Sequence, residues 1–126
     1  MIKYFALWCI AGILPMLSLR AQDLSCGKKM YAYERWNSAK KAFSTHATND
    51  AEAAYWLSET LIQMDDIAAA NAYATNALTT FKNDPLLLVA LAHTDLALGK
   101  KSAAKENFEK ALALADNKNK VAVLNA

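Results

Sequence analysis

Few residues in this chain have the types and spacing that chemistry requires. His46 and His93 are its two histidines, and His93-Thr94-Asp95 is its one compact polar cluster. A general base needs a carboxylate within hydrogen-bond reach to orient it. On a helix, residues two apart face different sides, so His93 and Asp95 cannot make that pair. No Cys–His metal spacing, glycine-rich phosphate loop or serine-nucleophile motif is present. The sequence therefore assigns no catalytic residue, metal ligand, cofactor or small-molecule substrate, and His93 reads as a solvated or satisfied surface residue. Lys100-Lys101 and Lys105 share their helix with Glu106 and Glu109 and read as a solvated face. What remains with chemical content is a pair of aromatics, Tyr55-Trp56, able to anchor a macromolecular partner or to support a core.

The elements that must position these residues follow an N-terminal targeting segment. Residues 1–22 read MIKYFALWCIAGILPMLSLRAQ, with Lys3 before an apolar run from Tyr4 to Leu19 and a small, polar ending. That order is the signature of a secretory signal peptide, cleaved after Ala21 or Gln22. The run is short for a spanning helix and carries Pro15, so membrane attachment is expected only if the segment is retained. The mature chain is then expected in the periplasm or outside the cell. Cys9 leaves with the signal, and Cys26 remains as a lone thiol. Arg20 and Asp23 separate Cys26 from the apolar run, which disfavours lipid attachment.

Lys3 and Arg20 account for the formal charge of +2, and the rest of the chain is neutral. A neutral chain has no long-range field to gather phosphates, which argues against nucleic acid as a partner. Only 3 Gly and 2 Pro occur among 126 residues, Ala and Leu abound, and no alternating apolar run marks a strand. The predicted class is all-α.

The helices repeat. A shift of 34 residues aligns Asn49-Asp50 with Asn83-Asp84, Leu57 with Leu91, Ala70 with Ala104 and Ala77-Leu78 with Ala111-Leu112. Two units follow, residues 51–84 and 85–118, each reading as two helices. Asp84 and Pro85 suit the cap and first position of the second unit's opening helix, and Gly99 its end. In the first unit Asn49 is the expected cap, with Glu52 reaching back to it. Asp65-Asp66 occupies the turn that Gly99-Lys100 fills later, and is less suited to a left-handed bend than glycine.

The second unit, with Leu88, Leu91-Ala92, Leu98-Gly99, Ala104, Phe108 and Ala111, resembles the tetratricopeptide repeat. The first supplies Leu57-Ser58, Ile67, Ala70 and Ala77, with Ala74 in place of the aromatic. Asp95 stands where the family has tyrosine, and no proline ends either unit. The resemblance implies a helix-turn-helix repeat array, an α-solenoid of about two and a half repeats. Its parts are a half-repeat over 23–50 forming an N-terminal capping helix, two repeats at 51–84 and 85–118, and a C-terminal tail over 119–126. The capping helix is predicted over 28–46, with Trp36, Ala39 and Phe43 at second-helix spacing. The tail is too short for a further helix. Leu57, Ala70, Ala77, Leu88, Leu91, Gly99, Ala104, Phe108 and Ala111 are expected to pack the repeats.

The resemblance also implies a function. In such arrays the first helix of each unit lines a concave, partner-binding face, which here would present Glu52, Tyr55, Trp56, Glu59, Ile62, Gln63, Leu86, Val89, His93 and Leu96. Basic positions that hold C-terminal carboxylates in chaperone-docking members are not matched. Tyr55 and Trp56 either anchor a partner in the groove or pack on the upstream helix. The helix over 85–98 is apolar nearly all round and must be covered on more than one side. The implied protein is an adaptor that binds a protein segment, or alternatively a structural subunit that self-associates, joins an envelope assembly or belongs to a larger repeat protein.

Overall fold

The computed structural model describes residues 24–116 and 120–126, and among them every regular element is a helix. In chain order these are α1 (24–32), α2 (Trp36–Ser44), α3 (Ala51–Gln63), α4 (Ile67–Thr80), α5 (Pro85–Ala97), α6 (Lys101–Leu114) and α7 (Lys120–Asn125). Neighbours in sequence pack as antiparallel hairpins, and α5 also packs on α3, so the hairpins stack in a row. The proposed export segment, residues 1–22, lies outside the described residues.

Three hairpins share one turn geometry. Glu34, Asp65 and Gly99 each take a left-handed conformation, with φ of 57°, 61° and 75°. At each turn the left-handed residue's N–H bonds back three residues, and the next N–H bonds back five. The pairs are Glu34 to Tyr31 and Arg35 to Met30, Asp65 to Ile62 and Asp66 to Leu61, and Gly99 to Leu96 and Lys100 to Asp95. This double bond closes the orphan carbonyls of the preceding helix. Asp65-Asp66 succeeds there without glycine because its two residues divide the work: Asp65 bends, and the Asp66 carboxylate accepts from the Ala69 N–H at 3.3 Å to cap α4.

Three expectations are corrected. The single helix predicted over 28–46 is two helices, because the chain turns at Tyr33–Arg35; the capping segment is a hairpin with a short first arm. The cap of α3 is Asp50 rather than Asn49. Its carboxylate accepts from Glu52 N and Ala53 N at 2.9 and 3.3 Å, so Glu52 is inside the helix and its side chain pairs with Lys28. Residues 120–125, expected to be irregular, form α7, which packs on α5 and α6 and buries Val123. The cap at Asp84 stands as read, with its carboxylate accepting from Leu87 N at 3.1 Å.

The core runs along the row of hairpins. Ala39, Ala70 and Ala104, at one position of three successive second helices, are each 0 % exposed. Methyl-sized residues let the two arms of each hairpin approach closely, and a larger side chain would force them apart. The matching small positions on the first helices are Gly27, Ser58 and Ala92, all buried. A Cβ on Gly27 would lie 2.6 Å from the ring of Phe43, itself fully buried. Leu57, Ala77, Leu88 and Ala111 are buried, while Leu91 and Phe108 pack half-buried against the core.

Candidate functional site

The first helices α1, α3 and α5 bring the proposed concave-face residues into one row. The residues one repeat apart, Glu59 on α3 and His93 on α5, meet directly, with His93 Nδ1 2.8 Å from Glu59 Oε1. The His93 ring also meets Phe108 of α6 edge-on at 5.5 Å between centroids. The His93 and Glu59 side chains are 22 % and 10 % exposed, so this pair is part of the stack as well as of its surface. Asp95 turns the other way and accepts a hydrogen bond from Asn107 Nδ2 of α6 at 2.9 Å. The structure thus keeps His93 and Asp95 apart, as their helical spacing requires.

Trp56 stands at the centre of an aromatic cluster. Tyr31 meets it edge-on at 5.2 Å, Tyr55 edge-on at 5.3 Å, and Phe43 stacks on it at 6.0 Å. Tyr31 in turn meets Trp36 at 5.1 Å. These contacts join α1, α2 and α3, and Trp56 supports the N-terminal hairpin. The ammonium of Lys28 lies 5.7 Å from the Trp56 ring and pairs with Glu52.

The proposed site residues differ in accessibility. Val89 is fully buried, and Tyr55 and Glu59 are only 6 % and 8 % exposed. For Tyr55 and Glu59 the burial comes from the row itself: α5 covers the face of α3 that a lone hairpin would expose. Glu52, Trp56, Ile62, Leu86 and His93 are half-buried, and Gln63 and Leu96 are exposed. A partner approaching this face therefore meets Gln63, Leu96 and the edges of the half-buried group, with Tyr55 beneath.

Burial raises the Tyr55 hydroxyl well above the ordinary tyrosine range, and the negative charge of Glu59 adds to the effect. The same two causes raise Tyr31, offset in part by the polar side chain of Gln63. Both phenols stay neutral over the physiological range, so the face offers hydroxyl groups and aromatic edges.

Helix α7 adds a wall that the sequence reading missed. A recess of about 230 Å³ is lined by Glu52, Tyr55, Trp56 and Leu86 together with Ala122, Asn125 and Ala126 of α7. The signal was present in the 34-residue register, which sets Val121–Ala126 opposite Leu87–Ala92. Cys26 is exposed on α1 and borders a separate hollow with Ser38, Lys41, Ala42 and Thr45. Among the described residues no group of histidine, cysteine and carboxylate side chains could hold a metal ion, and no helix is long and apolar enough to cross a membrane.

The geometry defines a class: an all-α array of stacked helical hairpins of tetratricopeptide type. Among solved structures the chain is similar in fold to PcrH, determined in complex with the chaperone binding region of PopB. The TM-score is 0.72 at 20 % identity, over 86 % of this chain and 91 % of that one. No protein-family model matches the sequence, and no curated protein matches it.

Proposed function

We propose that this protein is an exported, non-enzymatic adaptor that holds a segment of another protein along the face formed by α1, α3 and α5. The observation that carries the reading is the continuous row of first helices, whose recess between α3, α5 and α7 is lined by Tyr55, Trp56 and Leu86. The charged groups along the row engage one another: Lys28 with Glu52, and His93 with Glu59. A face whose charges are already matched favours a segment that brings apolar side chains over one that brings a charge cluster. The structural likeness to PcrH, which was solved with a region of another protein bound, supports the same reading. Export rests on the character of residues 1–22, and N-terminal sequencing of the native protein tests it: the mature chain should begin near Gln22.

Affinity capture from the native envelope fraction tests the adaptor reading. Gln63→Arg and Leu96→Asp alter the exposed positions of the face without touching the core. Each should lower capture of the recovered partner at least about tenfold, the effect of an interface hot spot, with the circular dichroism spectrum unchanged. Capture that survives both changes would move binding away from this face.

A further inference from the structure

We propose that the edge formed by the hairpin turns is a self-association surface, on which a second copy of this chain docks in one antiparallel register. The edge is distinct from the concave face. Three turns of one geometry follow one another along it, at Glu34, Asp65 and Gly99. The residue before each bend is apolar: Tyr33 is 75 % exposed, Met64 half-buried and Leu98 46 % exposed. Further repeats at either end would lengthen this edge and leave it uncovered, because each repeat adds its own turn beside the last.

The charges on this edge are sorted by turn. The first turn carries the neutral dyad Glu34-Arg35, the second Asp65-Asp66 and the third Lys100-Lys101, all six residues exposed. The charges of the concave face are paired with one another, and these are not. Among the described residues neither the acidic nor the basic dyad makes an ion pair. Yet α3 packs on α5, so the two dyads are neighbours. Two unmatched clusters of opposite sign, side by side, make a self-complementary patch, which is what a two-fold interface requires.

The charges also select the register. A two-fold axis between the second and third turns brings Lys100-Lys101 of each copy to Asp65-Asp66 of the other, and Met64 of each to Leu98 of the other. An axis through the second turn would set acid on acid, and one through the third turn base on base, both unfavourable. An axis between the first and second turns would set acids against a neutral dyad and gain little. A single exposed ion pair contributes little, and the contact spans two turns per copy, so the association is weak. Its orientation comes from the four dyads acting together.

Sedimentation equilibrium of the native protein tests the proposal. The expected result is a reversible monomer–dimer equilibrium with a Kd below about 1 mM at low salt, weakened about tenfold or more between roughly 20 mM and 0.5 M salt. Two variants reverse one dyad each. Asp65→Gly with Asp66→Lys gives the second turn the Gly99-Lys100 sequence that already forms the third, and Lys100→Glu with Lys101→Glu makes the third acidic. Each variant alone should associate at least about tenfold more weakly than the native protein, with the circular dichroism spectrum unchanged. An equimolar mixture of the two should restore a 1:1 dimer, because opposite dyads face each other again. If the first variant loses helicity, the second decides by itself. A native protein that stays monomeric at about 1 mM would overturn the proposal, as would a dimer that keeps its strength in both variants. So would a mass that grows past the dimer, since the contact would then be head-to-tail and open. Gln63 and Leu96 are unchanged in both variants, so the concave face keeps its own separate test.

Discussion

Glu59 and His93 lie 34 residues apart, one repeat length, and their side chains meet at 2.8 Å. Equivalent positions of successive units thus touch, because stacking brings each first helix alongside the previous one. The contact is mostly shielded from water, and a hydrogen bond to a charged group in such a place contributes about 1.5–3 kcal/mol. A double-mutant cycle with Glu59→Gln and His93→Gln, read by urea denaturation, should give a coupling free energy of about 1 kcal/mol or more. Additive single effects would mean that the two side chains do not hold the repeats together.

Ser58 offers a contrasting case. Its side chain is 0 % exposed, and its hydroxyl has no hydrogen-bond partner among the described residues. The next repeat has Ala92 at this position, also fully buried. An unpaired hydroxyl in a core is unfavourable by about 1–3 kcal/mol on protein scales. Ser58→Ala should therefore raise the denaturation midpoint, by up to about that amount. A clear loss of stability would show that the hydroxyl has a partner in solution.

The N-terminal hairpin depends on the absence of a side chain at Gly27. The ring of Phe43 fills the space a Cβ would take and is fully buried, so it has nowhere to move. Gly27→Val should overpack this crossing and cost about 1–3 kcal/mol. Loss of the fluorescence signature of the Trp56 cluster should accompany the loss of stability. Retention of both would mean that α1 and α2 are not packed as described.

Much of this fold was legible in the sequence, for identifiable reasons. The 34-residue period survives in alanines such as Ala70 and Ala104, because a close crossing tolerates nothing larger. Asp84-Pro85 announces α5 because capping and the missing proline N–H are local effects. The first hairpin was less legible. Its turn lies 31 residues before that of the next unit, and Glu34 gives no sign that it will bend to φ 57°. Helix α7 was hidden because six residues have weak helical tendency alone and gain order from the α5–α6 surface. The site was least legible: Tyr55, Glu59 and Val89 are on the expected face, but how deeply one helix buries another's face is a tertiary property.

The Glu34 turn can be tested directly. A left-handed conformation costs an ordinary L-residue roughly 1–2 kcal/mol, and glycine avoids that at some cost in unfolded-chain entropy. Gly99 already occupies the equivalent place in the third hairpin at φ 75°. Glu34→Gly should therefore stabilise the protein by up to about 1 kcal/mol, measured as a higher denaturation midpoint. Destabilisation would show that the Glu34 side chain makes a contact that outweighs the backbone strain.

Tyr55 gives the fold a defined weakness to alkali. Its hydroxyl is raised above the ordinary tyrosine value of 10.0, first by burial and then by the charge of Glu59. The folded state therefore holds this proton more tightly than the unfolded chain does. The stability linked to it is fully present below the unfolded value and is lost as pH rises from there through the folded value. Tyr31 and Tyr73 are raised as well, mainly by burial, so they act in the same direction. Unfolding free energy should fall with pH above about 10, the ordinary range for an unfolded tyrosine. Tyr55→Phe removes the largest of the three contributions and should flatten the fall, while Tyr73→Phe should change it less. Urea titrations at intervals from pH 8 to about 11.5 would measure the slopes, which are proportional to the difference in bound protons between the two states. An unchanged slope in Tyr55→Phe would mean that this hydroxyl reaches water in the folded protein. Tyr55 would then belong to the open surface of the face, and the recess between α3, α5 and α7 would be deeper than the structure shows.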